Sequence, residues 1–463
     1  MKKLLTLLLT LSFGLSFGQT TFLYDTLFEQ ALINLGLDTG LVDNHVPTAN
    51  IDTLTYLDIS GYGMIWNLTG ISDFTALTHL NCSNNNIDHL KLDYNKALTY
   101  LNCEKNQISY LDVSQNTALT YLNCKGNQLS LLDVSNNTAL TYLNCEWNQL
   151  GYLNVSNNTA LDYLNCNENY IWGIDVSNNT VLTQLECGWN SLYDLDVSNN
   201  TALTNLICWG NQLMGLDLSN NTALLELSCH GNNLPSIDVS NNINLTNLGC
   251  GDNLLTILDV SNNTALLGLG CINNQLTSLD LSNNTSLSQL FCYENELTHL
   301  DLSNNPSLTY LFCQSNQLTC LNVKNGNNKN LLYKMFSNNQ NLSCIEVDDT
   351  AWATANWFAK DPQTSFSNKC NNACSTTGIS DLTYKTMRAY PNPFSTSTTI
   401  EFPNYSGDHH TLSVYDMLGN RVRLVENITS DKVTIEKGNL GRGIYFLKLS
   451  SSNQAFKGRF IIE

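Results

Sequence analysis

Twelve cysteines recur every 21 residues, from Cys82 to Cys313. Cysteine used in such numbers serves one of three chemistries: disulfide bridging, metal or thiol chemistry, or the filling of an apolar core. No C-x-x-C pair or His-Cys cluster accompanies the column, which counts against a metal. Side chains repeated on parallel rungs are poorly oriented for the disulfide torsion, although the rung spacing alone would allow a bond. The column therefore reads as a ladder of free, inert thiols. Four more cysteines, at 320, 344, 370 and 374, fall outside it. Cys344 and Cys370 bracket an aromatic segment, and a bridge between them is the expected disulfide of an exported chain. The pairing of Cys320 and Cys374 stays open.

Other columns share the period. Three residues before successive cysteines stand His79, Tyr100, Tyr121, Tyr142 and Tyr163, and one residue before them stand Asn81, Asn102, Asn123, Asn144 and Asn165. Trp147, Trp189 and Trp209 follow just after their cysteines. Exposed aromatics beside amides suit a sugar or a protein surface, so Tyr100, Tyr121, Tyr142, Tyr163, Asn102, Asn123, Asn144, Trp147 and Trp189 are the candidate ligand-binding residues. The same tyrosines and asparagines could instead serve only to stabilise the rungs they sit on. A further column, Asp112, Asp133, Asp175 and on to Asp301, raises calcium as an option. The glycine-rich turn of calcium-binding β-rolls is missing, so a solvated acidic face is expected and no metal or cofactor is assigned. Seven scattered histidines and the absence of H-E-x-x-H, G-x-S-x-G and P-loop patterns leave no catalytic residue to name.

The element that positions these columns is the repeat itself. Around each cysteine the chain reads L-T-x-L-x-C-x-x-N-x-L-x-x-L-D-[VL]-S-N-N, as from Leu119 to Asn137, which is a leucine-rich repeat. An L-x-C-x-x-N half is followed by an L-x-[VL]-x-x-N half, each offering a short alternating strand and a turn. No 21-residue unit has room or period for a helix. Both long sides of the coil are therefore expected to be parallel sheet, in a rod of roughly 58 Å at strand spacing. The asparagines that close each half, such as Asn127 and Asn137, are expected to bond the turn backbone. The fold class is mainly β: a parallel β-solenoid of twelve 21-residue coils over 77–328, with an N-terminal cap over 19–76 and a C-terminal cap over 329–374. Thr26–Leu35 is predicted to form a capping helix with Phe28, Ala31, Leu32 and Leu35 on one face. At the other end Trp352, Trp357 and Phe358 cover the last rung.

Residues 1–18 read as a signal peptide, with Lys2 and Lys3 before an apolar run and small residues before Gln19. No other segment approaches the ~18 apolar residues of a membrane span. A net charge of −19, from 21 Lys+Arg and 40 Asp+Glu, argues against a nucleic-acid partner.

After a linker at 375–383, residues 384–463 change character. Six strand-like runs with turn signals between them predict a small Ig-like β-sandwich. The segments Ala389–Phe394, Leu412–Val422 and Gly443–Leu449 resemble the C-terminal sorting domain of type IX secretion cargo in Bacteroidetes. The resemblance rests on Pro391, Asn392, Pro393, Tyr415, Asp416, Gly419, Gly443 and Tyr445. The repeats likewise resemble the leucine-rich-repeat proteins of that phylum. It implies export through the type IX translocon, removal of the tail by a sorting protease, and a solenoid left attached to the surface or released. The function so implied is non-enzymatic binding, in adhesion to or recognition of proteins or glycans. A passive surface-layer or stalk protein without a discrete ligand is the alternative.

Overall fold

The computed structural model describes residues 18–371, 374, 385–402, 409–417, 420–450 and 455–462. The expected signal peptide, apart from Gly18, and the expected linker lie outside them. The chain divides into two compact units, Met1–Cys374 and Ser375–Glu463.

The first unit is built on one parallel sheet, in which fourteen strands of the described residues run from Tyr56–Asp58 to Tyr333–Met335. Its register is the sequence period: Tyr100 pairs with Tyr121, and Tyr121 with Tyr142. The sheet therefore overruns the twelve expected coils by one strand at each end. The two extra coils escaped the pattern because they sit 23 residues from their neighbours and place Ile59 and Phe336 where the others have cysteine. Both are buried like the cysteines. Within one coil Leu119, Leu122, Cys124, Leu129, Leu132 and Val134 all point inward and are buried. Each such leucine contributes about 1.5–3 kcal/mol, and this stacked core is continuous along the unit.

All twelve repeat cysteines are free and buried. The thiols of Cys124, Cys145 and Cys313 make weak bonds to the next rung, as from Cys124 Sγ to Asn144 O at 3.5 Å. Asparagines close the turns. Asn127 Nδ2 donates to Cys103 O and Cys124 O at 3.0 Å, and its Oδ1 accepts from Ile108 N at 3.0 Å. Asn137 Nδ2 reaches Val113 O at 2.9 Å and Asn116 O at 2.8 Å. These side chains satisfy turn amides and carbonyls that no strand partner reaches.

The expectation of sheet on both long sides holds in full on one side. On the other, paired strands lie near the two ends: Leu90–Lys91 with Leu111–Asp112, and the set His299–Asp301, Cys320–Asn322, Cys344–Glu346 and Ser365–Ser367. In the middle coils that side is linked by side chains. The Asn137 column and exposed neighbours such as Asn157, which donates to Ser135 O at 3.1 Å, bridge successive rungs and make a continuous backbone ladder dispensable. Each aspartate of the column folds back on its own chain, as Asp133 Oδ1 does to Ser135 N at 2.9 Å.

The N-terminal cap contains helix α1, Thr26–Asn34, started by Asp25, whose Oδ1 accepts from Leu27 N and Phe28 N. The other oxygen of Asp25 accepts from Trp66 N at 2.7 Å, tying the cap to the coils. Phe28, Ala31 and Leu32 are buried, whereas Leu35 is the exposed C-cap, because the chain turns away at Gly36. At the C-terminal end α2, Thr350–Asn356, is followed by Trp357, which packs against Phe336 and Phe366. Phe358 differs from expectation: it is exposed, one residue past the tryptophan that fills the site. Disulfides join Cys344 to Cys370 and Cys320 to Cys374.

The second unit has a five-stranded and a three-stranded sheet over one apolar core of Ile400, Leu412, Val414, Phe456 and Phe460 among others. All six predicted runs are strands. Two short strands before them, Lys385–Thr386 and Arg388–Tyr390, had no alternating pattern to reveal them.

Candidate functional site

The tyrosine column is a stack. Ring centroids are 3.8 Å apart for His79–Tyr100, 4.2 Å for Tyr100–Tyr121, 4.3 Å for Tyr121–Tyr142 and 4.5 Å for Tyr142–Tyr163, with planes within 9°. Tyr56 extends it by one ring. Strand spacing sets this distance, so Tyr100, Tyr121 and Tyr142 have both faces covered by their neighbours. A sugar would meet ring edges there and no open face. Burial between neighbours pushes the Tyr121 and Tyr163 phenols well above their ordinary range.

The asparagine column is covered as well. Asn123, Asn144 and Asn165 are buried and Asn102 half-buried, because an acidic row lies over them. Asn123 Nδ2 donates to Glu104 Oε2 at 2.7 Å, and Asn165 Nδ2 to Glu186 Oε2 at 3.0 Å. Tyr163 Oη donates to Glu186 Oε1 at 3.1 Å. Lys125 is paired with Glu146 at 2.7 Å, and that bond raises the lysine above its usual pKa. Asn102, Asn123 and Asn144 also cap the next turn, accepting from the amide two residues on. Sequence alternation put them outward but could not show what lies over them.

The open surface begins two residues after each cysteine, where every rung turns through the left-handed region. Gly126, Gly210 and Gly231 occupy that position with φ of 65°, 64° and 65°. In the same column Trp147 has φ 59° and Trp189 φ 48°. Both indoles are 59% exposed. Backbone need explains the turn, since Trp147 N donates to Asn167 O at 3.0 Å and Trp189 N to Trp209 O at 2.8 Å. It does not explain tryptophan, because a bulky side chain is rare in this region and glycine adopts it freely.

An open groove of about 520 Å³ spans five rungs, with Trp147 on the third and Trp189 on the last, and is also lined by Gln107, Gln128, Gln149, Glu168 and Tyr170. Trp209 stands edge-on to Trp189 at 5.8 Å and stacks on His230 at 5.2 Å. Glycine makes room for it: a Cβ on Gly188 would come within 2.9 Å of Trp209 Nε1. Beside the groove Tyr110, Leu131, Tyr152, Trp172, Tyr193 and Met214 are exposed on the same run of coils. Sequence reading passed over these six and Tyr170. Their signal was available as large side chains at four, six and seven residues after the cysteine, concentrated between Cys103 and Cys208.

The aspartate column holds no cation cage: Asp112, Asp133 and Asp175 accept from serine amides and hydroxyls, and these bonds hold their carboxyls below the usual range. Among the described residues no group of three or more His, Cys, Asp or Glu side chains could hold a metal ion. In the second unit Asn392 Oδ1 accepts from Ile461 N at 2.7 Å, Pro391 O accepts from Thr398 Oγ1 at 2.8 Å, and Tyr445 Oη donates to Gly441 O at 3.1 Å. Asp416 Oδ1 accepts from Asn420 N at 2.9 Å, and Gly443 has φ 148°. The motif residues thus hold the unit's turns and strand ends together; Pro393 follows Asn392 in the first of them, Tyr415 ends the strand His410–Tyr415, and Gly419 lies outside the described residues.

Known structures place this architecture. The functional domain of InlJ from Listeria monocytogenes, described as including a cysteine ladder, is 31% identical, with a TM-score of 0.65, covering 96% of this chain and 99% of its own. The chain belongs to the leucine-rich-repeat family. An internalin, inlF, from Listeria monocytogenes (22% identity, TM-score 0.59, 70% of this chain and 95% of that one) shares the fold. So does a leucine-rich-repeat protein of Leptospira interrogans (20% identity, TM-score 0.57, 69% and 91%). No curated protein matches the chain. Residues 388–463 match the secretion system C-terminal sorting domain. This leucine-rich-repeat protein is therefore cargo of the type IX secretion machinery, delivered to the cell surface or beyond it. Among the described residues no helix is long and apolar enough to cross a membrane.

Proposed function

We propose that the solenoid is a non-enzymatic recognition module that adheres to proteins or glycans through the turn edge carrying Trp147 and Trp189. Its tail is engaged by the translocon and then removed by a sorting protease. One observation carries the binding reading: two largely exposed tryptophans occupy left-handed turn positions that the other rungs fill with glycine or with a polar side chain such as Asn84, Glu168 or Asp252. Residues held in such regions cost about 1–3 kcal/mol each and cluster at functional sites. The flanking exposed aromatics extend the same surface, and large exposed apolar patches mark interaction sites. Solenoids offer extended surfaces of this kind for binding.

The test is binding of the purified chain to glycan and surface-protein arrays, wild type against Trp147→Ala/Trp189→Ala. Loss of specific signals in the variant, with unchanged circular dichroism, is the expected result. Equal binding by both proteins would move the recognition site away from this edge, and no binding by either would turn the reading towards a passive stalk.

A further inference from the structure

We infer that the groove running past Trp147 to Trp189 takes a neutral polysaccharide chain lying along the solenoid axis, with pyranose faces on the two indoles. This rests on the recognition reading above and specifies its ligand class. Four features of the groove converge on it.

The first is spacing. Trp147 and Trp189 occupy equivalent positions two coils apart, with Glu168 between them, so at strand spacing they are separated by about 10 Å. The second is room for the rings. The outer neighbour of Trp147 in the column is Gly126, and that of Trp189 is Gly210. A Cβ at these positions would come within 3.5 Å of Trp147 Cε3 and 3.2 Å of Trp189 Cδ1, so glycine leaves each indole the space it occupies.

The third is the polar lining. The amides of Gln128 and Gln149, the carboxylate of Glu168 and the hydroxyl of Tyr170 line the groove. Amides both donate and accept, which matches the mixed hydrogen bonding of sugar hydroxyls. The fourth is charge. The lining residues include Glu168 and neither lysine nor arginine. Two lysines stand near it: Lys125, bound to Glu146, and Lys105, beside Gly126 and three rungs from Glu168. A chain with net charge −19 and an acid between the two indoles disfavours uronate or sulfated polymers.

The experiment is isothermal titration of the full secreted chain with cellohexaose, laminarihexaose and mannohexaose, and with polygalacturonate and heparin as anionic probes. Indole fluorescence provides a second readout. The expected result is saturable binding to at least one neutral hexasaccharide, unaffected by raising salt. It should weaken about tenfold or more in Trp147→Ala and in Trp189→Ala and hold in Ile257→Ala, an exposed residue on the distant Cys250 coil. Gln149→Ala should weaken it while leaving the indoles intact. Failure of all three neutral probes overturns the inference, as does binding confined to the anionic probes. If the neutral probes fail while a protein from the arrays binds wild type and not the Trp147→Ala/Trp189→Ala variant, the recognition reading survives and the glycan assignment falls.

Discussion

A thiol enclosed in the core of a coil titrates very differently from one in an unfolded chain. Burial pushes Cys124, Cys166, Cys208 and Cys250 up to about 12, from an ordinary value of 9.0. The native state therefore keeps these protons at pH values where the unfolded chain has lost them. A raised folded-state pKa gives stability that is full below the unfolded value and is lost as pH rises through the folded one. Each such thiol removes about 1.4 kcal/mol per pH unit between those limits. The urea midpoint of the chain should hold up to pH 9 and fall steeply towards pH 12. At pH 8 the twelve column thiols should ignore a thiol reagent until urea is added. Rapid labelling of the native protein, or a midpoint flat to pH 11, would refute the ladder of inert thiols. The cysteine column was legible because one residue type repeats at one interval. What covers a given side chain was not, since the carboxylates over Asn123 and Asn165 come from different rungs and different column positions.

At the level of the coil, two aromatic columns have opposite uses. The tyrosine stack fits the sheet: offset aromatic pairs add about 0.5–1.5 kcal/mol each beyond burial, and Tyr121 has two partners. Tyr121→Ala should cost roughly 1–3 kcal/mol in urea unfolding and leave ligand binding at the groove unchanged. The tryptophans of the turn oppose the backbone. A left-handed non-glycine residue costs roughly 1–2 kcal/mol, and glycine in turn loses more chain entropy on folding, about 0.5–1 kcal/mol. Trp147→Gly should therefore shift stability by about 1 kcal/mol or less, in either direction, while removing binding. If Trp147→Gly instead destabilises as much as Tyr121→Ala, the indole is structural and the groove loses its main support. The repeat made the strands and turns readable, but not that the second side of the coil would pair as strands only near its two ends. The period shows that a second apolar half exists; it does not show whether backbone or asparagine side chains join the rungs there. Nor does it show that Trp147 sits at a left-handed position, although the glycines at 126, 210 and 231 in that column carry the clue.

Across the molecule, a solenoid transmits stability only between neighbouring coils, so an end that frays exposes core. The C-terminal end is where the sorting tail departs, and there the chain is stapled twice. Cys374, the last residue of the first unit, is bonded back to Cys320 across 54 residues, and Cys344 to Cys370 across 26. The first bond reaches the strand Cys320–Asn322, which pairs through Cys344–Glu346 to Ser365–Ser367. Loss of the sorting tail therefore leaves a closed terminus, because the bond lies on the solenoid side of the boundary at Ser375. A disulfide of this loop size contributes typically about 2–4 kcal/mol, and in a nearest-neighbour structure its loss is felt locally. Cys374→Ser should speed amide exchange in Cys320–Asn322 and Ser365–Ser367 by about tenfold or more, while Tyr121–Asn123 and Tyr142–Asn144 exchange as in the wild type. Faster exchange along the whole sheet would mean that the unit unfolds as one cooperative body, and unchanged exchange at the end would mean that α2 and Trp357 close the terminus without the bond.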